Sequence, residues 1–460
     1  MVPCVTSRTS DPTTVRGVLR GNRDLRLLLA AGLVTMTGDW MLSVGLVYTV
    51  YDVTGSTLAS AVALMAAFVP QVITGLFAGV FVDRWSRART MVVGNLLMAL
   101  GITPLLLVHG ADDVWIVYAV LAANAVLDVF VATADSAMLP LLVLGEGRLT
   151  ANALNGQVGQ VARLVGGAAG GVLAAAGGLG AVVVVDTATF LLAALLVQLI
   201  RTPTKPRRAV ADDAIPGAMG ALRRVVVEWG QGATTVRRSR VLRVLLAFSL
   251  ITAVGEGIMG TLFTPYVKDI LDGNAATLGT VTSAQAVGGI LGGFAAAAAG
   301  RRWTPRVLFG WGAVVFGLID LAIFVYPVVY VAAWPAVLGM ALVGFPGAVC
   351  IAARTTLLQD HSTDEQRGRI FALLFAVSAL SLTVGAVTAG FLGEAIGIIE
   401  VLALQGGGYV AAGVMVLLLI GAPTAEPAAT SASGPPVAPR AEDADLEGPL
   451  GPAVAEPERR

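Results

Sequence analysis

Apolar runs of about 20 residues or more recur between Leu27 and Ile420, parted by short polar gaps. A bilayer core of ~30 Å is crossed by ~20 apolar residues of helix. The pattern predicts spans at 27–51, 56–82, 90–109, 114–140, 152–176 and 179–200, then at 241–267, 277–300, 306–326, 330–356, 369–394 and 399–420. In lipid every backbone polar group must be satisfied within its own segment, so such runs are read as helices. The expected fold is an all-α integral membrane protein of twelve transmembrane helices. It would touch the lipid bilayer on all sides.

The gaps alternate in charge. One set holds Arg8, Arg16, Arg20, Arg23 and Arg26, then Arg84, Arg87 and Arg89, then Arg148. It continues with ten Lys/Arg from Arg201 to Arg243, then Arg301, Arg302 and Arg306, and ends with Arg367 and Arg369. The other set holds Asp52, Asp112, Asp113, Asp269, Asp272, Glu394 and Glu400, with Lys268 as its only base. Basic loops stay in the cytoplasm, so both termini are expected there, in the cell membrane, with an even number of spans. The expected organisation is a cytoplasmic tail at 1–26, one six-helix half at 27–200, a linker at 201–240, a second half at 241–420 and a disordered cytoplasmic tail at 421–460. The linker carries Pro203, Pro206 and Pro216. Within it, Met219–Trp229 reads either as a short amphipathic helix on the membrane surface or as plain solvated chain. The tail is rich in Ala, Pro and Glu and lacks the apolar residues that would fold it.

Composition narrows the chemistry. Charged residues make up 13% of the chain and mean hydropathy is +0.81, against about 25% charged in soluble domains. Two cysteines, Cys4 and Cys350, and two histidines, His109 and His361, argue against a disulfide scaffold or a metal centre. No Gly-x-x-x-x-Gly-Lys loop is present for ATP, no nucleophile–base or metal-ligand motif for an enzyme, and no basic folded domain for nucleic acid. The expectation is a monomer that is no enzyme and uses no cofactor.

The two halves resemble each other. At an offset of 219, residues 134–173 overlay 353–392 without gaps. Ala134, Leu139, Glu146, Arg148, Ala153, Leu154, Val158, Val165, Gly166, Gly171 and Leu173 recur as Ala353, Leu358, Glu365, Arg367, Ala372, Leu373, Val377, Val384, Gly385, Gly390 and Leu392. Arg84-Trp85-Ser86 overlays Arg302-Trp303-Thr304 at an offset of 218. A duplicated six-helix unit can rock about a site between its copies, as secondary transporters do.

One loop carries a family likeness. Gly79-Val-Phe-Val-Asp83-Arg84-Trp-Ser-Arg87-Ala-Arg89, between spans 2 and 3, resembles the loop signature of the major facilitator superfamily. Ser86 stands where a glycine is usual, and the closing base is displaced to Arg89. Gly38-Asp39-Trp40, Tyr51-Asp52-Val-Thr-Gly55-Ser56 and Arg148-Leu-Thr-Ala-Asn152 are similar to the branch of macrolide-efflux proteins and siderophore exporters. The resemblance covers about 27–420. It implies the twelve-helix fold in two pseudo-symmetric halves, and a loop in which Asp83 and its arginines act as a conformational latch. Read without the family, a carboxylate at a helix end among arginines can hold a loop closed, while the arginines alone can also merely fix topology. The branch usually has Ala-Arg near the end of span 4. The second half keeps it as Ala353-Arg354, but the first has Ala134-Asp135. Asp135 then either pairs with Arg84 or Arg87, or weakens the latch. In span 5, Gly166-Gly167-Ala-Ala-Gly170-Gly171 resembles an element of antiporter-type members, with Gly167 in place of proline. It reads as close helix packing or as a sliding surface, and modestly favours export.

Ionisable groups inside spans are costly and mark function. Glu256, between Gly255 and Gly257 in span 7, is the first candidate for a proton or substrate carboxylate, and Asp39 in span 1 is the next. Asp128 in span 4 and Arg163 in span 5 either line the cavity or neutralise each other. Asp320 in span 9 is a further candidate for proton coupling or the substrate cavity, and Asp186 in span 6 is a further ionisable group within a span; both read alternatively as lying toward outer, solvated ends. The resemblance implies a cavity lined by spans 1, 4, 5, 7, 8, 10 and 11. Trp40, Met41, Met259, Phe263 and Gln285 are candidates for its wall. The reading is proton-coupled export of a small amphipathic or hydrophobic compound, such as a drug, an antibiotic or a siderophore. The alternatives are a lipid flippase on the same fold and a non-transporting membrane sensor or scaffold.

Overall fold

Caps and glycines end the helices close to where the hydropathy breaks. The computed structural model describes residues 15–82, 85–143, 147–202, 230 and 233–420. A short helix α1 (Val15–Gly21) leads into α2 (Arg23–Thr54). Asn22 caps α2 by accepting the Leu25 N–H at 2.9 Å, and Gly55 ends it with φ 61°, a left-handed turn that glycine takes without strain. Then come α3 (Thr57–Val82), α4 (Arg87–Gly101) and α5 (Val114–Leu142). α6 (Gly147–Gln198) is two arms joined at Gly178, whose φ of 64° and ψ of −168° fit no helix. The second half holds α7 (Arg240–Pro265), α8 (Ala275–Ala299), α9 (Pro305–Val325), α10 (Ala333–Asp360), α11 (Asp364–Ala395) and α12 (Ile398–Leu419).

Ten helices among the described residues are long and apolar enough to cross a membrane. α6 is one of them, and its break supplies two crossings. α8 is absent from the ten because Thr277, Thr280, Thr282, Ser283 and Gln285 lower its hydropathy. With α6 counted twice and α8 added, the helices accommodate the expected twelve. Two span edges differ from the sequence expectation. The third helix ends at Gly101 and passes into a 3-10 turn, Thr103–Leu107, since Pro104 has no N–H to continue the ladder. The tenth begins at Ala333, after a 3-10 turn at Tyr326–Val328 built on Pro327.

Asp83 and Arg84, the linker segment Met219–Trp229, the first 14 residues and the tail from residue 421 lie outside the described residues. So do the side chains of Gly79, Arg148 and Arg367, though their backbones sit in α3, α6 and α11.

Packing follows the duplication. One apolar cluster runs from Val18 to Val197 and includes Leu46, Met98, Met138 and Phe190. Two others hold the second half, one around Tyr266 and Phe324 with Val44 of α2, and one around Phe248 and Phe309. The halves meet chiefly where α6 lies on α8 and α3 on α11.

Candidate functional site

Small residues bring the halves into backbone contact at one end. On α6, Gly166 and Gly170 face α2. A Cβ on Gly166 would meet the Thr37 carbonyl at 2.4 Å, and one on Gly170 would meet Met41 Cα at 2.6 Å. Gly167 and Gly171 face α8 in the other half. A Cβ on Gly167 would meet Ser283 Oγ at 2.6 Å, and one on Gly171 the Ala275 carbonyl at 2.5 Å. The four-glycine element therefore serves two faces, one within a half and one between halves.

This contact belongs to a seal at the end where the acidic gaps lie. Lys268 Nζ bonds Asp52 Oδ1 at 2.6 Å, and the Tyr51 hydroxyl donates to Asp269. Thr57 Oγ1 donates to the Gly390 carbonyl at 2.7 Å and to Glu394 at 3.2 Å. Each of these bonds joins α2 or α3 to the second half. The Lys268–Asp52 pair is half-exposed, so it contributes only ~0.2–1 kcal/mol. The glycine contacts and their dispersion carry more of the closure.

On the basic-loop side of the seal lies a cavity of about 350 Å³. Glu256 is exposed to it, and the Tyr409 hydroxyl donates to its Oε1. Phe248 and Phe316 flank Tyr409, with ring centroids 6.3 and 4.5 Å away. From the first half, Arg163 donates to Gln285 on α8, and its Cζ lies 5.0 Å from the Trp40 ring centroid. Glu256 is the charged group that faces Arg163, but the two make no ion pair. The site thus joins a carboxylate, an aromatic wall and an arginine contributed by opposite halves. Arg354 lines its far side. The glycines beside Glu256 are occupied by helices. A Cβ on Gly257 would meet the Leu382 carbonyl at 2.0 Å, and one on Gly255 would meet Gln405 Cγ at 2.9 Å.

The pairing of Asp128 with Arg163 is not formed. Arg163 turns to α8, while Asp128 joins Asp39 on cavities of about 310 and 290 Å³ within the first half. Asp186 and Asp320 are not at solvated ends. They are 0% and 3% exposed, because the faces that carry them turn inward. Gln405 Nε2 donates to Asp320 Oδ2 at 2.7 Å. Of the expected wall residues, Trp40 and Gln285 take part through Arg163, whereas Met41 and Phe263 are core. Met259 packs beside the cluster around Tyr266. The wall also draws on α9 and α12, through Phe316 and Tyr409, which sequence reasoning left out. The 219-residue offset, carried past Leu392, matches Phe190 to Tyr409 and was the available signal.

In the loop after α3, Arg87 Nη1 donates to the Ala137 carbonyl of α5 at 3.0 Å, not to Asp135. Asp135 shares a cavity wall with Asn155 of α6. Arg89 is exposed.

Two helical halves enclosing a charged cavity and sealed at one end define a membrane transporter. The model of the family described as transmembrane secretion effector matches residues 20–454. The chain belongs to that family, within the major facilitator superfamily. Macrolide efflux protein A of Streptococcus pyogenes is 22% identical, over 79% of this chain and 88% of its own length. Multidrug efflux pump Tap of Mycolicibacterium fortuitum is 27% identical, over 81% and 90%. Among solved structures, the nucleoside transporter NupG superposes with a TM-score of 0.70 at 12% identity, over 87% of this chain and 100% of that one. A peptide transporter POT does so at 0.70 and 15%, over 86% and 94%. These two likenesses show the fold alone. The protein is a multi-pass membrane transporter of small molecules, not an enzyme.

Proposed function

We propose that the protein exports small amphipathic compounds, cations among them, by proton-coupled alternating access. The observation that carries this is Glu256, open to a cavity between the halves, beside Tyr409 and an aromatic wall. Arg163 is already engaged by Gln285 and Trp40, which leaves Glu256, and Arg354 on the far side, as the charges offered to a ligand. Shape-tolerant apolar walls with one or two charges suit a range of amphiphiles. The names of the efflux relatives point the same way. A membrane potential negative inside favours inward movement of the counter-flowing proton by ~2.3 kcal/mol per charge per 100 mV. The test is efflux of ethidium, a cation, and of a macrolide from cells expressing the chain, with and without a protonophore. Efflux that ignores the protonophore removes the coupling, and no efflux of either compound removes the export reading.

The reading also sets orientation. The basic loops, both termini and the 201–240 linker face the cytoplasm, and the acidic seal faces outward. The conformation described is then inward-facing. Cysteines placed near Asp112 and Asp272 should be labelled from outside in intact cells, and Arg207→Cys should not. Labelling of Arg207→Cys by an impermeant reagent would overturn this topology.

Asp83→Asn should leave expression near normal and lower transport by loosening the outward-facing state. Unchanged efflux in that variant would mean that the loop after α3 sets topology only.

A further inference from the structure

The two halves have diverged at one equivalent place. The 219-residue offset that matches Phe190 to Tyr409 also matches Asp186 to Gln405. The geometry agrees. A Cβ on Gly38 would meet Asp186 Oδ1 at 2.0 Å, just as one on Gly255 would meet Gln405. In each half a glycine of the first helix accepts a polar side chain of the sixth, and the next residue is a carboxylate: Asp39 or Glu256. One half therefore holds two acids, and the other an acid and an amide.

The surroundings differ accordingly. Gln405 is tied to Asp320. Asp186 is fully buried; its Oδ1 takes the Thr189 hydroxyl at 2.9 Å, and its Oδ2 has no hydrogen-bond partner. The charged groups facing Asp39 are Asp186 and Asp128, both acidic. Asp135 completes the acids on the cavities Asp39 lines. α3 contributes Gln71 there, α4 contributes Asn95 and Met98, and among the described residues no Lys, Arg or His appears on either wall. Arg163 of α6 looks to Gln285, Trp40 and Glu256 instead.

Two neighbouring carboxylates without a cation do not both ionise in a site poor in water, and a buried carboxyl oxygen that no donor reaches costs less neutral than charged. We propose that Asp39 and Asp186 share one proton, and that a second, taken up and released at Asp39, is the proton moved in transport. Resting on the reading of a proton-coupled exporter, this assigns the proton to the first half and leaves Glu256 for substrate. The step forms one O–H bond on Asp39 from water on one side of the membrane and breaks it to water on the other. No other bond changes. Asp39 reaches the cavities, while Asp186 sits behind it and keeps the pair from losing both protons.

Infrared difference spectra of the full chain in nanodiscs, acid minus neutral, test the assignment without any substrate. The band of a protonated carboxyl should lose a component in Asp39→Asn. The same component should shift in Asp186→Asn, where Asp39 loses its partner, and stay in Glu256→Gln. An unaltered band in Asp39→Asn or Asp186→Asn, or a component lost only in Glu256→Gln, overturns the proposal. In proteoliposomes, gradient-driven ethidium efflux should be lost in Asp39→Asn and in Asp186→Asn, with ethidium counterflow retained. Intact gradient-driven efflux in Asp186→Asn also overturns it. Failure of the unaltered protein to move ethidium would count against the export reading, while the infrared result still decides where the proton sits.

Discussion

Glu256→Gln is expected to abolish export of cationic amphiphiles and spare neutral ones. Glutamine keeps the shape of the side chain and can still accept the Tyr409 hydroxyl, but it offers no charge to a ligand. Losing a charge-assisted contact costs about 1.5–3 kcal/mol, a roughly 10- to 150-fold rise in Kd for a cation. A neutral compound held by Phe248, Phe316 and Tyr409 loses little. The measurement is initial efflux of ethidium against that of chloramphenicol, which is uncharged, from cells expressing equal amounts of each protein. If both fall together while exchange without net proton movement survives, Glu256 is the proton group instead. If neither falls, Glu256 has neither role. Tyr409→Phe should show the same selectivity more weakly, since it removes one hydrogen bond and keeps the ring.

The second large effect is expected at the glycine ladder, and it divides by face. Gly171→Val places methyl groups where the Ala275 carbonyl and Gly279 Cα lie, so the halves cannot close at the acidic end. Overpacking of this kind costs about 1–3 kcal/mol, charged here to one conformation rather than to the fold. That is enough to move a two-state equilibrium by about 5- to 150-fold. Transport should nearly stop, with thermal stability little changed. Gly170→Val meets Met41 backbone within the first half, so it should lower stability itself. Unfolding temperature and efflux measured together separate the two. Equal loss of stability in both variants would mean that α6–α8 contact is plain structural packing.

Most of the architecture was legible because lipid enforces it. Hydropathy located most helix ends within a few residues, the Pro104 exit of the third span excepted, and the gap left at residues 177–178 falls on the left-handed Gly178 that breaks α6. What failed was rotation. A sequence fixes how deep a side chain lies along a span but not which way it turns. Asp320, near the end of α9, read either as a cavity carboxylate or as a solvated one, yet it is buried and accepts from Gln405 of α12. Arg163 and Asp128 lie at similar depth but look to different neighbours, since the α6–α8 crossing carries Arg163 to Gln285. The glycines were visible; that alternate pairs serve different partners was not, because both faces read alike in sequence. Tyr409 and Phe316 were missed since the expected wall excluded their helices.

The polarity of α8 has a consequence for how the chain is made. Thr277, Thr280, Thr282, Ser283 and Gln285 interrupt the apolar run of α8, which packs on α6 and α10. As synthesis proceeds, α8 follows the apolar α7 and precedes the apolar α9. Insertion of α8 is therefore expected to be helped by these neighbours, and full insertion of α8 alone in a glycosylation reporter would show that it needs none.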